Sequence, residues 1–328
     1  MDPQTTSRIH PRLRHEHTYT KLNYKQAVLA TLAYFDVFQY PLTAEEATRF
    51  LYKLEPDLHH VKMTLDESRL VTKRGSYYQL NHDSDHIATR HDREIIAKQL
   101  WTRVNRFRWA FNLTPYVRLV AVCNNLSLNN TGPTSDIDLL IITEPGRLFL
   151  SRLILTFWLQ LFGVRRHGKK VAGRFCLSFF AAKGALQAER IEKKPHDLYL
   201  AYWLQTLEPV AGSRQVYENV LQDNRAWLQT FFQSPPHYNM HRFKETPRSA
   251  AFLKKLQEKA LNTRWGQKIE NRLSSWQLNR ARTKQAALNL EETDIILSED
   301  ILKFHNIDKR NEIYQQWVEK LSVLLNHS

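Results

Sequence analysis

The stretch that decides the fold reads Val117-Arg118-Leu119-Val120-Ala121-Val122-Cys123, then an asparagine-rich turn, then Ser135-Asp136-Ile137-Asp138-Leu139-Leu140-Ile141-Ile142. Both apolar runs are β-branched and read as strands. Residues two apart in a strand point to the same face, so Asp136 and Asp138 are expected side by side, with Leu139 to Ile142 continuing as a buried strand. Two ionised carboxylates held together repel unless a cation lies between them, and an oxygen-rich pair suits Mg²⁺. The pattern points to metal-dependent phosphoryl or nucleotidyl transfer. The plainer alternative has Asp136 capping the turn and Asp138 at a solvent-facing strand end.

Working outward, Gly146 is expected to open a helix running to about Phe162. Gly163 to Gly173 follow as a basic loop, and Arg174-Phe175-Cys176-Leu177-Ser178-Phe179-Phe180-Ala181 as a third apolar strand. Pro195-His196-Asp197 begin another helix, with Leu198, Tyr202 and Leu204 turned inward. This order assigns residues 116–235 to the α/β (α+β) class, as a small mixed sheet with helices over one face.

Residues 1–20 read as a basic flexible tail and 21–82 as a unit of their own. Val28, Leu29, Leu32 and Phe35 mark a helix over Lys25 to Phe38, and Tyr40-Pro41-Leu42-Thr43 ends it. Thr43 with Glu46 reads as a capping box for a second helix. A third covers Leu58 to Ser68, and Leu70 to Leu80 read as two short strands around Gly75. Three helices and a hairpin are the pattern of a winged helix, with Lys73 and Arg74 at the wing tip. Its third helix offers His59, His60 and Lys62 rather than a row of arginines, which favours a structural or protein-contacting role over DNA reading. Residues 83–115 read as a helical connector with Ile95, Ile96, Leu100, Val104 and Phe107 on one face.

The chain has 328 residues, 42% of them hydrophobic and 11% aromatic, which fits a folded protein of two or three domains. A formal charge of +14 favours an anionic partner: nucleotide, nucleic acid or an acidic membrane surface. Cys123 and Cys176 lie in apolar runs without a CxxC or Cys/His cluster, so they read as buried reduced thiols of a cytoplasmic protein. The polar, basic first twenty residues do not resemble a secretory signal. Leu148 to Val164 is the longest apolar stretch, but Ser151-Arg152 and Gln160 interrupt it, so a buried helix is favoured over a membrane one. The oligomeric state stays open.

Residues 236–328 read as a basic helical C-terminal region. His241 to Leu290 carry twelve Lys/Arg against three Glu, interleaved with Trp265 and Trp276. Such a segment can grip phosphates and stack on bases. The default reading is a solvated helix face with its tryptophans turned into a core. The tail, Ser298 to His327, reads as two amphipathic helices separated near Asn306-Ile307-Asp308.

The strand, turn and Ser135-Asp136-x-Asp138 strand, continuing through Gly146-Arg147-Leu148, resemble the polymerase-beta-like nucleotidyltransferase superfamily. More widely, the chain resembles bacterial proteins with a winged helix ahead of such a domain. Tyr34-Phe35-Asp36-Val37-Phe38-Gln39-Tyr40-Pro41-Leu42-Thr43 and Ser298-Glu299-Asp300-Ile301-Leu302-Lys303-Phe304-His305 carry that likeness. The resemblance implies that Asp136 and Asp138 hold Mg²⁺ and that Asn124, Asn125 and Ser135 cradle the phosphates of an NTP. A nucleoside monophosphate would pass to a hydroxyl acceptor as pyrophosphate leaves. Arg147 or Lys169-Lys170 would add positive charge.

Asn124 and Asn125 stand where the family has Gly-Ser, Asn129 where it has a further Gly, and the strand 174–181 has Ser178 but no third carboxylate. These departures point to the alternative, a non-catalytic nucleic-acid-binding or regulatory protein that retains a degenerate fold.

Overall fold

The computed structural model describes residues 22–81, 84–194, 196–288, 294–305 and 308–326. The basic tail expected at 1–20 lies outside them. Twelve helices and two sheets occur among the described residues.

The N-terminal part runs α1 (Tyr24–Val37), β1 (Leu42–Thr43), α2 (Ala44–Arg49), α3 (Leu58–Glu67), β2 (Val71–Arg74) and β3 (Tyr77–Leu80). Asn23 and Gln26 form a capping box on α1, and Thr43 and Glu46 form the one expected on α2. The hairpin β2–β3 turns at Gly75, whose φ of +62° suits a residue without Cβ. Strand β1 pairs with β3, which completes a three-stranded sheet. Lys73 is 2.8 Å from Asp66, and Arg74 pairs with Asp85.

Helix α4 (His86–Leu113) leads to the main body. Its Leu100, Val104 and Phe107 are buried as expected, whereas Ile95 is exposed, because the helix end bearing it rests on the N-terminal part through polar contacts such as Arg90 with Glu46. There follow β4 (Val117–Val122), β5 (Ile137–Thr143), α5 (Leu148–Leu161), β6 (Phe175–Ala182), α6 (Ala188–Ile191), α7 (Leu198–Gln205), β7 (Glu208–Gly212), α8 (Arg214–Asp223) and α9 (Arg225–Leu228). Last come α10 (Arg248–Leu261), α11 (Arg264–Leu288), β8 (Asp294–Leu297), β9 (Ile301–His305) and α12 (Arg310–Asn326).

The main sheet has six strands in the order β7-β4-β5-β6-β9-β8. Only β5 and β6 are parallel, joined by the α5 crossover. Two expectations are corrected here. The first concerns the tail: Ser298 to His327 does not form two helices. Its first half is the β9 edge of a hairpin that pairs with β6, and only α12 is helical. The second concerns the faces, since helices cover both of them. Leu119, Ala121, Leu140, Ile142 and Phe179 face a core shared with α1, α7, α8 and α12. Val120, Val122, Leu139, Ile141 and Phe180 face a second core with α4, α5 and α11. Strands β4 and β5 are apolar at almost every position because both their faces are buried.

The N-terminal helices belong to the first core. Tyr34 stacks on Tyr202 at 4.1 Å, and Trp317 of α12 donates its indole N–H to Ala30 O at 2.9 Å. Long helices in the C-terminal part lie over the second core. Glu258 of α10 pairs with Arg118 of β4 at 2.8 Å. Glu270 of α11, 3% exposed, accepts from Phe149 N and Leu150 N and so caps α5, which has no capping side chain of its own. No described helix is long and apolar enough to cross a membrane. The tryptophans of α11 do not turn into a core: Trp265 is 74% exposed and Trp276 51%.

Candidate functional site

Strand β4 ends at Val122, and the chain turns through a short 3-10 helix, Asn124–Leu126, before returning as β5. Asn124 and Asn129 both have φ of +57°. These are the places where the resemblance expects glycine, and asparagine is among the few side chains that adopt this conformation readily. Trp101 donates its indole N–H to Asn129 Oδ1 at 2.7 Å, which pins the far end of the turn.

Cys123 N donates to Asp138 O at 3.1 Å, so the start of the turn lies beside the acid. Asn124 Nδ2 then donates to Asp138 Oδ2 at 2.8 Å, and Tyr199 of α7 donates its hydroxyl to Asn124 Oδ1 at 3.1 Å. Asp136 stands just ahead of β5. The structure therefore brings Asp136, Asp138 and Asn124 together as expected.

Ser135 lies at the end of the turn. Its hydroxyl accepts from Gly132 N at 2.9 Å, and its carbonyl accepts from Gly173 N at 2.7 Å. Gly173 is a close approach: a Cβ there would come within 2.7 Å of the Arg103 guanidinium, at a φ of +65°. The Gly173 N bond to Ser135 O ties the basic loop to the turn, while Arg103 of α4 holds the loop by donating to Gly173 O.

The sequence did not disclose Cys176. The parallel register sets Cys176 of β6 directly beside Asp138, with a bulge just after it. One ligand atom each from Asp136, Asp138 and Cys176 lies within 4.8 Å of the others. The signal was weak but present, since Cys176 and Ser178 alternate to one face of an apolar strand. Burial, reinforced by the Asp138 charge, pushes the Cys176 thiol up to about 12. Asp138 is also raised, first by burial and then by the Asp136 carboxylate, while the Asn124 amide opposes the rise.

Arg166 is a second site residue that no sequence motif marks. Its Nη1 lies 2.6 Å from Asp136 Oδ2 and 3.6 Å from Cys176 Sγ. The basic loop thus reaches the site through Arg166 rather than through Lys169 and Lys170. The latter occupies a tight turn, where its N donates to His167 O. Arg147 is placed elsewhere. It precedes α5, beyond the far end of β5, and stacks over Tyr116 at 5.2 Å. Thr143 is five residue steps along the strand from Asp138, about 17 Å, so Arg147 does not serve the acid pair.

Behind Asp138, a small cavity is bordered by Ser178, Phe179, Trp203, Lys303 and Arg310. Arg310 opens α12 and is fixed by Asp197 at 2.6 Å and Asp308 at 3.1 Å. Asn124 and Asn125 border a second pocket, walled by Phe38, Tyr199 and Trp203.

No protein-family model matches the chain, and no curated protein or solved structure shows significant similarity to it.

Proposed function

We propose that this site belongs to a nucleotidyltransferase, which moves a nucleoside monophosphate from an NTP to a hydroxyl acceptor. The observation that carries the reading is the joint placement of Asp136 and Asp138 against a turn whose asparagines hold positive φ. In this reading the main sheet is of nucleotidyltransferase type and the N-terminal part is a winged helix. Lys73 and Arg74 are neutralised by Asp66 and Asp85, which supports a structural or protein-contacting role for that part.

The donor set fits a divalent cation. Two carboxylates converge, and Asp138 is raised first by burial and then by the Asp136 charge, both of which a cation would offset. Carboxylate oxygens suit hard cations, so Mn²⁺ fits as well as the expected Mg²⁺. Asp136 and Asp138 would hold the ion, which when bound neutralises phosphate charge and favours in-line displacement. Around it Asn124 orients Asp138, and Tyr199 orients Asn124. Phe38 and Trp203 offer an apolar wall for the base beside Asn125. Arg166 is positioned to bind phosphate oxygens once it leaves Asp136.

A second reading keeps nucleotide or nucleic-acid binding without turnover. The Arg166 guanidinium beside Asp136 favours it, as does β6, which sets Cys176 rather than a carboxylate beside Asp138. Calorimetry with each NTP plus Mg²⁺ or Mn²⁺ tests the site, and pyrophosphate release tests turnover. Metal-dependent binding should vanish in the Asp136→Asn, Asp138→Asn double variant. Unchanged affinity there overturns the proposal, while binding without pyrophosphate release favours the second reading.

A further inference from the structure

On the sheet face away from the acid pair, α5, α11 and the β8–β9 hairpin border a cleft of about 460 Å³. Three guanidinium groups line it from three elements: Arg152 of α5, Arg165 of the basic loop and Arg280 of α11. None of the described residues lining it is acidic. Arg152 Nη1 donates to Gln277 Oε1 at 2.6 Å and the group lies 4.8 Å from the Phe304 ring centre, yet its Nε is buried with no partner among the described residues. Burial, then the charges of Arg165 and Arg280, push Arg152 down to about 10. An anion with several acceptor oxygens would offset that repulsion and satisfy the orphaned donor.

Helix α11 extends the charged cleft into a track. Trp265 and Trp276 are eleven residues apart, so at 100° per residue they share one helix face, about 16 Å from each other. Lys268, Ile269 and Arg272 lie between them on that face, and all are exposed. Each ring has a cation beside it, with Lys268 Nζ 5.3 Å from Trp265 and Arg280 5.7 Å from Trp276. Exposed indoles alternating with cations suit bases and phosphates in turn.

The geometry points to single-stranded nucleic acid as the ligand of this face. The strand runs along α11, its phosphates held by Arg152, Arg165 and Arg280, its unpaired bases stacked on Trp276 and Trp265. Paired bases cannot offer their faces to an indole, which sets a single strand apart from a duplex. A lipid surface is the rival, because Phe157 and Leu161 of α5 and Phe162 just after it are exposed. The concave arginine cleft favours the strand, since phosphates on a chain can enter it and a flat headgroup layer cannot. This inference does not depend on the transfer reaction, because the strand is expected to bind without NTP or metal.

The test is fluorescence anisotropy on the full chain, with a labelled single strand of about fifteen nucleotides and a duplex of equal length. Trp276→Ala and Trp265→Ala, both at exposed positions, should each weaken strand binding about tenfold. The Arg165→Ala, Arg280→Ala double variant should flatten the plot of log affinity against log salt by about 1.4. Melting curves check that each variant stays folded. Equal affinity for the duplex overturns the proposal, as does strand binding indifferent to both tryptophans. Sedimentation with anionic vesicles, combined with no binding of the strand, overturns it in favour of the lipid surface.

Discussion

Replacing Arg166 with glutamine separates a working metal site from one that has exchanged its metal for an arginine. Arg166 Nη1 lies 2.6 Å from the Asp136 carboxylate, with side chains 45% and 16% exposed respectively. Unit charges about 4 Å apart attract by roughly 4 kcal/mol at an effective dielectric constant near 20. Exposure of the arginine brings the net value down to about 1 kcal/mol. A divalent ion must displace that contact, so its removal should tighten Mn²⁺ binding about fivefold, 1.4 kcal/mol being tenfold. Calorimetric titration of Mn²⁺ alone into wild type and Arg166→Gln reads the ratio directly. Folding stability should fall by no more than about 1 kcal/mol. Absence of Mn²⁺ binding in both proteins, or weaker binding in the variant, would rule out a displaceable ion pair and leave Arg166 as the resident cation of the two acids.

Three further outcomes follow from the packing. Asn124 stands at φ +57°, so Asn124→Ala should be less stable than Asn124→Gly by about 1 kcal/mol in urea, although both lose the amide bond to Asp138. Glu270→Ala strands two buried N–H groups at the start of α5 and should cost about 2–4 kcal/mol in the same assay. His196, 2.9 Å from the Tyr52 hydroxyl, is pushed down to about 4, first by burial and then by Lys53. Its folded value lies below its unfolded one, so the unfolded chain binds the extra proton. Stability should therefore fall as pH drops from about 6.5 to about 4, by up to about 3 kcal/mol. Denaturation curves of wild type and His196→Gln across that range should converge on acidification, and parallel curves would exclude the histidine as the cause.

The strand–turn–strand of the candidate site was legible because its signals are local. β-Branched runs, an Asx-rich turn and acids two residues apart need no distant partner to be read. The capping box at Thr43 and Glu46 is local in the same way. Cys176 was not legible as a site residue, because its place beside Asp138 depends on the register of a parallel pair joined by a whole helix. The tail failed for a related reason. Ile295-Ile296-Leu297 and Ile301-Leu302 are short apolar runs that periodicity alone cannot divide between helix and strand. They become strands because β6 offers an open edge more than a hundred residues upstream. The tryptophans of α11 show the opposite limit: helical spacing located their face but could not say whether a core or solvent would meet it.

The proposed chemistry requires that Asp136 and Asp138 share a divalent cation. A crystal soaked with Mn²⁺ and a non-hydrolysable NTP, measured at the manganese absorption edge, tests it most directly. A shared ion gives an anomalous peak between the two carboxylates, within about 2.5 Å of each, with Arg166 swung from Asp136 onto the phosphates. A map with no peak there and Arg166 still bound to Asp136 would contradict it.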